Sequence, residues 1–290
     1  GALGFYQDET AARWLNLGSS GPHGTSSIPA GFVLGAGGFT DWSCDCDFGD
    51  LDNDGDLDLV HSSYGGAFGG DVPTRIFLND GNGFFSEFNP SNFTVAANGD
   101  ISNGNPGLWC EGTQSANTTN SNGNFCDIAS SALDIDVGDI DGDFDLDILH
   151  GARQEAPRMF VNRLDGSGLA PANGGGLLFR DVTGMVFPGG YTSGNGHYEQ
   201  EMGDLDGDGD LDIYGLNWLA SGGFTDITLR NDGGGTYSNV VTLGGSGADD
   251  NEGDFFDYDN DGDLDLFVCN FSGGDKMYRN NNNCLLYTSD

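Results

Sequence analysis

The apolar residues of this chain fall in short, regular runs rich in β-branched and aromatic side chains. Four of these runs follow directly on a burst of aspartates. Residues 50–60 read DLDNDGDLDLV, 139–149 read DIDGDFDLDIL, 204–214 read DLDGDGDLDIY and 257–267 read DYDNDGDLDLF. Each is D-x-D-x-D-x-D-x-D followed by a strand-like run. Such self-similarity predicts a repeat architecture. A second repeat lies downstream of each: RIFLN (75–79), RMFVN (158–162), ITLRN (227–231) and KMYRN (276–280). Turn residues follow in the first and third copies (Asp80 to Gly83, Asp232 to Gly234). An aromatic-bearing strand comes next, at Phe84-Phe85 and Thr236-Tyr237; in the second copy it is delayed to LLFRDVT (177–183). Strand, tight turn and strand predict a hairpin.

Each unit therefore reads as four short strands: one before the acidic loop, as in LDIDV (133–137), one after it, as in LDLV (57–60), and the hairpin. Repeated four-stranded units predict an all-β protein, a β-propeller with about four blades visible. The extra length at residues 95–130 is expected to form loops. GFYQDET (4–10) resembles a fourth strand with nothing before it, and the last unit is expected to stop after its third strand, at Asn280 to Asn283. Residues 1–283 are thus read as an incomplete propeller, an open arc whose exposed strand edges favour aggregation. The tail CLLYTSD (284–290) fits no unit. It matches one reading frame of a transposase adapter used in DNA sequencing and is expected to be a non-native end on a fragment of a larger chain.

Composition narrows the function. With 51 Gly among 290 residues and only 9 Lys and Arg, long helices are not expected. The formal charge of −37 excludes a nucleic-acid-binding face and argues against docking on an anionic membrane. The hydrophobic and aromatic fractions, 37% and 11%, argue against disorder and leave bound cations as what neutralises the charge. No stretch approaches the roughly 20 apolar residues of a membrane span. The sequence begins without Met or a signal peptide, so a processed or truncated start is expected. Cys110 and Cys126 bracket a Gly/Asn/Thr/Ser-rich insertion and suit a disulfide-closed loop. Cys44 and Cys46, two apart in a strand-like run, face one side and need not pair with each other.

Alternating carboxylates around a tight turn are hard oxygen ligands converging on a point, which suits Ca²⁺ with its six to eight oxygens better than Mg²⁺. In the first loop, positions 1, 3, 5 and 9 supply the carboxylates of Asp50, Asp52, Asp54 and Asp58, and position 7 the backbone carbonyl of Asp56. Gly55 at position 6 permits the reversal. Phe144 replaces that Gly in the second loop, so the second site is expected to be weaker. An EF-hand requires Glu at position 12 and a following helix. Here position 12 is His61, His150, Gly215 and Val268, and strand residues follow. A merely solvated acidic loop, repeated four times in fixed phase, repels itself without a cation.

The repeat D-x-D-x-D-G-D-x-D-L, with Gly-Asp upstream and Asn-Asp-Gly downstream, resembles the FG-GAP/VCBS repeats of integrin-α-like propellers across nearly the whole chain. The resemblance implies a calcium-stabilised propeller, commonly of seven or so blades, in an extracellular protein. It implies as ligand positions Asp50, Asp52, Asp54, Asp56 and Asp58; Asp139, Asp141, Asp143, Asp145 and Asp147; Asp204, Asp206, Asp208, Asp210 and Asp212; and Asp257, Asp259, Asp261, Asp263 and Asp265. HSSY and HGAR stand where the family's Gly-Ala-Pro falls, which favours the VCBS-like branch over integrin-type recognition.

Acidic pairs also precede every loop: Asp45/Asp47, Asp134/Asp136, Glu199/Glu201 and Glu252/Asp254. Alternation puts each pair on one face of the first strand, where it lines the channel as solvated polarity or as a second set of cation sites. The leading expectation is a secreted or cell-surface module for adhesion, protein or carbohydrate recognition. Its candidate sugar-stacking aromatics are Trp14, Trp42, Trp109 and Trp218, each equally a core residue. The alternative is an enzyme such as a calcium-dependent polysaccharide lyase, but the few bases form no recognisable constellation. His61 and His150 at equivalent positions read as structural repetition.

Overall fold

The fold is that of a computed structural model, which describes residues 6–14, 43–63, 74–88, 93–95, 101–103, 109–113, 126, 128, 132–152, 157–164, 177–188, 191, 197–217, 226–241, 243–244, 249–281 and 285–287. Four antiparallel sheets stand in a ring, as in a four-bladed β-propeller. The first runs β1 (Ser43–Gly49), β2 (Asp58–Ser63), β3 (Arg75–Asn79), β4 (Phe85–Glu87) from the inside outward. The second holds β8 (Ala132–Gly138), β9 (Asp147–Ala152), β10 (Arg158–Asn162) and β11 (Phe179–Asp181). The third is β12 (His197–Gly203), β13 (Asp212–Asn217), β14 (Ile227–Asn231), β15 (Tyr237–Val241). The fourth is β16 (Asp249–Phe256), β17 (Asp265–Ser272), β18 (Lys276–Asn280), β19 (Leu285–Tyr287). The innermost strands follow one another round the axis, β1 beside β8, β8 beside β12, β12 beside β16.

Alternation along the strands explains the core, because each sheet turns one face to the blade before it and the other to the blade after it. Leu51, Val60 and Ile76 meet Ile135, Ile148, Phe160 and Phe179 between sheets one and two. Ile140, Leu149 and Met159 meet Ile213, Leu229 and Tyr237 between two and three. Tyr214 and Leu216 meet Leu266, Val268 and Tyr278 between three and four. The glycine closing each of the first three inner strands lets the next blade approach. A Cβ on Gly49 would lie 2.6 Å from Leu146 Cδ1, one on Gly138 2.7 Å from Leu211 Cδ1, and one on Gly203 3.0 Å from Phe255 Cδ2.

Three expectations need correcting. The fourth unit does have an outer strand, since β19 pairs with β18 through Tyr278↔Tyr287 and Asn280↔Leu285. Residues 6–9 form no strand; they lead into a four-residue helix, α1 (Thr10–Arg13), after which Trp14 bridges Phe85 and packs edge-on against Phe77. The insertion at 95–130 is not all loop. Cys110–Thr113 (β7) adds a parallel fifth strand outside β11, and Phe93–Val95 (β5) pairs with Ile101–Asn103 (β6). Trp109 anchors this insertion edge-on to Phe160 and Phe179, its indole N–H donating to the Thr74 carbonyl at 2.7 Å. The expected Cys110–Cys126 disulfide is present, with Cα atoms 6.2 Å apart. Among the described residues the one other helix, α2 (Thr183–Val186), also has four residues, and none is long and apolar enough to cross a membrane.

Candidate metal centres

Each acidic loop is folded by its own carboxylates. The position-1 aspartate accepts the N–H groups of positions 5 and 6: Asp54 and Gly55 donate to Asp50 at 3.0 and 2.9 Å, and Asp261 and Gly262 to Asp257 at 3.1 and 3.0 Å. Asp139 and Asp204 do the same and also take the N–H of position 4. The position-5 aspartate accepts the N–H of position 7, as Asp56 donates to Asp54 and Asp210 to Asp208. The reversal needs left-handed backbone at two places. Position 4 is Asn53, Gly142, Gly207 and Asn260, with φ of 59°, 79°, 76° and 60°. Position 6 is Gly55, Gly209 and Gly262 at 95°, 96° and 99°, and Phe144 at 72°.

This winding gathers positions 1, 3 and 9. Ligand atoms of Asp50, Asp52 and Asp58 all lie within 4.8 Å of one another, as do those of Asp139, Asp141 and Asp147; Asp204, Asp206 and Asp212; and Asp257, Asp259 and Asp265. Positions 5 and 7 stand outside these sets. Asp54, Asp143, Asp208 and Asp261 pin the loop backbone. Of Asp56, Asp145, Asp210 and Asp263, Asp145 accepts from the Asn53 amide of the first loop at 2.6 Å. The three gathered carboxylates differ in what else they do. Each oxygen of position 9 accepts one backbone N–H: Asp147 accepts that of Ile140 at 2.9 Å and that of Asn162 at 2.8 Å, and Asp58, Asp212 and Asp265 repeat both bonds. Position 3 is the reverse. Asp52, Asp141, Asp206 and Asp259 each hold a buried Oδ1 with no hydrogen-bond partner. A buried carboxylate oxygen left bare is costly, and four at one motif position, each beside two further carboxylates, fit a hard divalent cation.

Electrostatics points the same way. Burial, with the charges of Asp143 and Asp139 adding, pushes Asp141 up to about 7. Burial pushes Asp58 and Asp212 up to about 6 against their backbone hydrogen bonds. Two cations were not legible in the sequence. Arg230 bridges Asp206 and Asp232 at 3.0 and 2.6 Å, and Arg279 bridges Asp259 and Asp261 at 2.7 and 3.2 Å. Each precedes the repeated Asn of strand three, where the first two units have Leu78 and Val161, and each takes the outer oxygen of the position-3 carboxylate.

The second loop gathers its carboxylates like the others, so Phe144 acts through strain. A bulky residue at positive φ costs about 1–2 kcal/mol, and this ring is 86% exposed, without packing in return. Phe144→Gly is expected to stabilise the protein by about 1 kcal/mol, read as a rise in the urea midpoint at unchanged slope. An unchanged or lower midpoint would remove strain as the mark of this site.

The repeated Asn was visible as a pattern without a role. Its amide reaches back to the loop of the preceding blade: Asn162 donates to the Leu51 carbonyl at 2.8 Å, Asn231 to Ile140 at 3.0 Å and Asn280 to Leu205 at 2.9 Å. Its backbone N–H meanwhile holds the position-9 aspartate of its own blade. An unbroken path therefore runs from Asp58 through Leu51, Asn162, Asp147, Ile140, Asn231, Asp212, Leu205 and Asn280 to Asp265.

The inward acidic pairs also join blades. Asp45 and Asp47 accept the N–H groups of Ile135 and Val137 at 3.0 and 2.8 Å, and Asp134 and Asp136 those of Gln200 and Met202 at 2.7 and 2.9 Å. They form no cluster as tight as the loops do among the described residues. Burial, then the Asp47 charge, pushes Asp136 up to about 8. Burial, then Glu252, pushes Glu199 to about 9, and burial, then Asp136, pushes Glu201 to about 10. The folded state thus keeps protons that the unfolded chain releases near pH 4. The stability so gained is complete below about pH 4 and is lost as the pH rises through 8 to 10. With chelator present, the melting temperature is expected to be higher at pH 5 than at pH 9, and calorimetry showing the opposite trend would contradict this assignment.

Of the other residues singled out, His61 and His150 are buried, the latter 2.9 Å from the Thr74 hydroxyl. Trp109 is core, Trp14 stacks on Phe85, and Trp42 and Trp218 lie outside the described residues. The chain is thus a propeller-like ring with four carboxylate loops fit for a cation; no protein-family model matches it, and no curated protein matches it.

Proposed function

We propose that this chain is a calcium-binding module of the FG-GAP/VCBS repeat type, holding about four Ca²⁺ ions and presenting loops to an extracellular protein or glycan. The observation that carries the reading is the bare, buried Oδ1 at position 3 of every loop, beside the carboxylates of positions 1 and 9. Asp50, Asp52 and Asp58, with their equivalents Asp139, Asp141 and Asp147, Asp204, Asp206 and Asp212, and Asp257, Asp259 and Asp265, hold the ion. The resemblance adds positions 5 and 7 as further ligand positions. The Cys110–Cys126 disulfide supports a secreted or cell-surface location, because such bonds persist in oxidising compartments. Multi-carboxylate sites of extracellular modules bind Ca²⁺ with Kd near 10⁻⁴–10⁻³ M, matched to those surroundings. The ring supplies a rigid base and the loops between strands supply the contact surface, for adhesion or carbohydrate recognition. The burial of His61 and His150 leaves the lyase reading without a specific observation in its favour.

Calorimetric titration of metal-free protein tests this. About four Ca²⁺ should bind, and Mg²⁺ should bind more weakly. Heat from neither ion, or Mg²⁺ the tighter, would overturn the calcium assignment.

A further inference from the structure

The first two acidic loops are tied together side chain to side chain. The Asn53 amide, at position 4 of the first loop, donates to Asp145 Oδ1, at position 7 of the second, at 2.6 Å. Both ends of this bond lie at residues read as ion ligands. Asn53 directly follows Asp52, and Asp145 is itself one of the positions the resemblance implies. Asp145 is buried, 2% exposed, whereas its counterparts Asp56, Asp210 and Asp263 are partly open to solvent. A hydrogen bond to a buried carboxylate is among the stronger kinds and is costly to leave unmade. The repeat cannot copy this bond along the chain. Position 4 is Gly142 in the second loop and Gly207 in the third, without a side chain to reach the next blade, and Asn260 belongs to the last sheet.

The bond depends on the shape of both loops. Asn53 reaches Asp145 from left-handed backbone, at φ 59°, which a residue with a side chain enters at a cost. The second loop has a larger cost of its own, since Phe144, the neighbour of Asp145, stands at φ 72° where the other loops have Gly. In each loop three carboxylates within 4.8 Å repel one another until a cation neutralises them. With the first loop filled, Asp52 and the Asn53 backbone after it are fixed, and the Asn53 amide then holds Asp145 and the strained turn beside it. With the second loop filled, Asp145 holds Asn53 in return. A first ligand that orders a shared element lowers the ordering cost left to the second, which is positive cooperativity. The Asn162 amide on Leu51 also joins these two loops, but its equivalents on Ile140 and Leu205 join the later ones. It sets a common background, and Asn53 adds to it at the first junction.

We propose that Asn53 is a positioning residue for the second metal site: acting through Asp145, it makes the first two loops bind Ca²⁺ cooperatively. This role rests on the calcium assignment proposed for the loops. A coupling of about tenfold in affinity is expected, within the range usual for linked sites. Linkage makes it reciprocal, so the first site strengthens the second by the factor by which the second strengthens the first.

Each loop carries its own reporter for the test. The N–H groups of Gly55, Gly142, Gly207 and Gly262 donate to the position-1 carboxylates of their own loops. Their amide NMR shifts therefore follow the four sites separately as Ca²⁺ is added to metal-free protein. Gly55 and Gly142 should move together, over a narrower range of Ca²⁺ than independent sites allow. Asn53→Gly keeps the left-handed turn, as Gly142 and Gly207 do, and removes the amide. In that variant the Gly142 curve should broaden and shift about three- to tenfold to higher Ca²⁺, the lower figure for two sites of equal strength, while Gly262 stays in place. Asp52→Ala, which disables the first site, should shift the Gly142 curve by a like factor, and by much less when Asn53→Gly is already present. A Gly142 curve that Asn53→Gly leaves unchanged or moves to lower Ca²⁺ would overturn the proposal and leave the calcium assignment standing. No response at any of the four glycines would overturn the calcium assignment, and the proposal with it.

Discussion

Removing divalent cations will lower the melting temperature by about 20 °C or more, or unfold the chain outright. A ligand bound only by the folded state stabilises it by RT ln(1 + [L]/Kd), about 2.7 kcal/mol per site at a hundredfold excess. Four sites give on the order of 10 kcal/mol, comparable to the whole stability of an ordinary domain, and each kcal/mol moves a protein of this size by about 2–4 °C. Loss of the ion also restores repulsion among carboxylates gathered within 4.8 Å and leaves four buried oxygens without partners. Scanning calorimetry with chelator, then with added Ca²⁺ or Mg²⁺, checks it. Ca²⁺ should restore stability better than Mg²⁺, and a melting temperature indifferent to chelator would mean that the loops hold no metal.

The second large effect separates two aspartates of one loop. Asp147→Ala or Asp212→Ala should cost about 2–5 kcal/mol even in chelator, because each side chain satisfies two backbone N–H groups that the substitution strands, the Ile140 and Asn162 pair or the Leu205 and Asn231 pair. Asp52→Ala or Asp141→Ala removes an oxygen that nothing satisfies without metal. In chelator these should be neutral or slightly stabilising; with Ca²⁺ they should lose about 2–3 kcal/mol, one site's worth. Urea midpoints with and without Ca²⁺ distinguish the classes. Equal penalties for both classes in chelator would show that the division of labour is wrong.

The repeat, the four-strand grammar and the crowding of loop carboxylates were legible because they are local. Alternation and turn chemistry report what neighbours in sequence do, and aspartates at alternate positions around a tight turn come together in threes. What divides those aspartates was not legible. Asp58 and Asp52 look alike in the string, and only the return of strand three brings the Asn79 N–H onto one of them. The reach of Asn162 back to Leu51 was hidden for the same reason, since it joins residues far apart in sequence across two blades. GFYQDET was misread because a lone aromatic-polar alternation also suits a short helix leading Trp14 onto Phe85. The strand at Leu285–Tyr287 was missed because four asparagines precede it in place of a glycine turn.

The path of Asn amides and position-9 aspartates has a direction. Each asparagine holds its own loop with its backbone and the previous loop with its side chain, so tension in one loop reaches only the adjacent ones. Asn79, the first of the four, donates instead to the carbonyl of Leu57 in its own loop. At the other end Tyr258, in the position where Leu51, Ile140 and Leu205 receive an amide, lies exposed. The molecule is in this respect a one-dimensional chain of four coupled spins, with free ends and no long-range term. Such chains fray from their ends and nucleate in their middle, so the second and third loops are the last to lose their shape and the first to regain it.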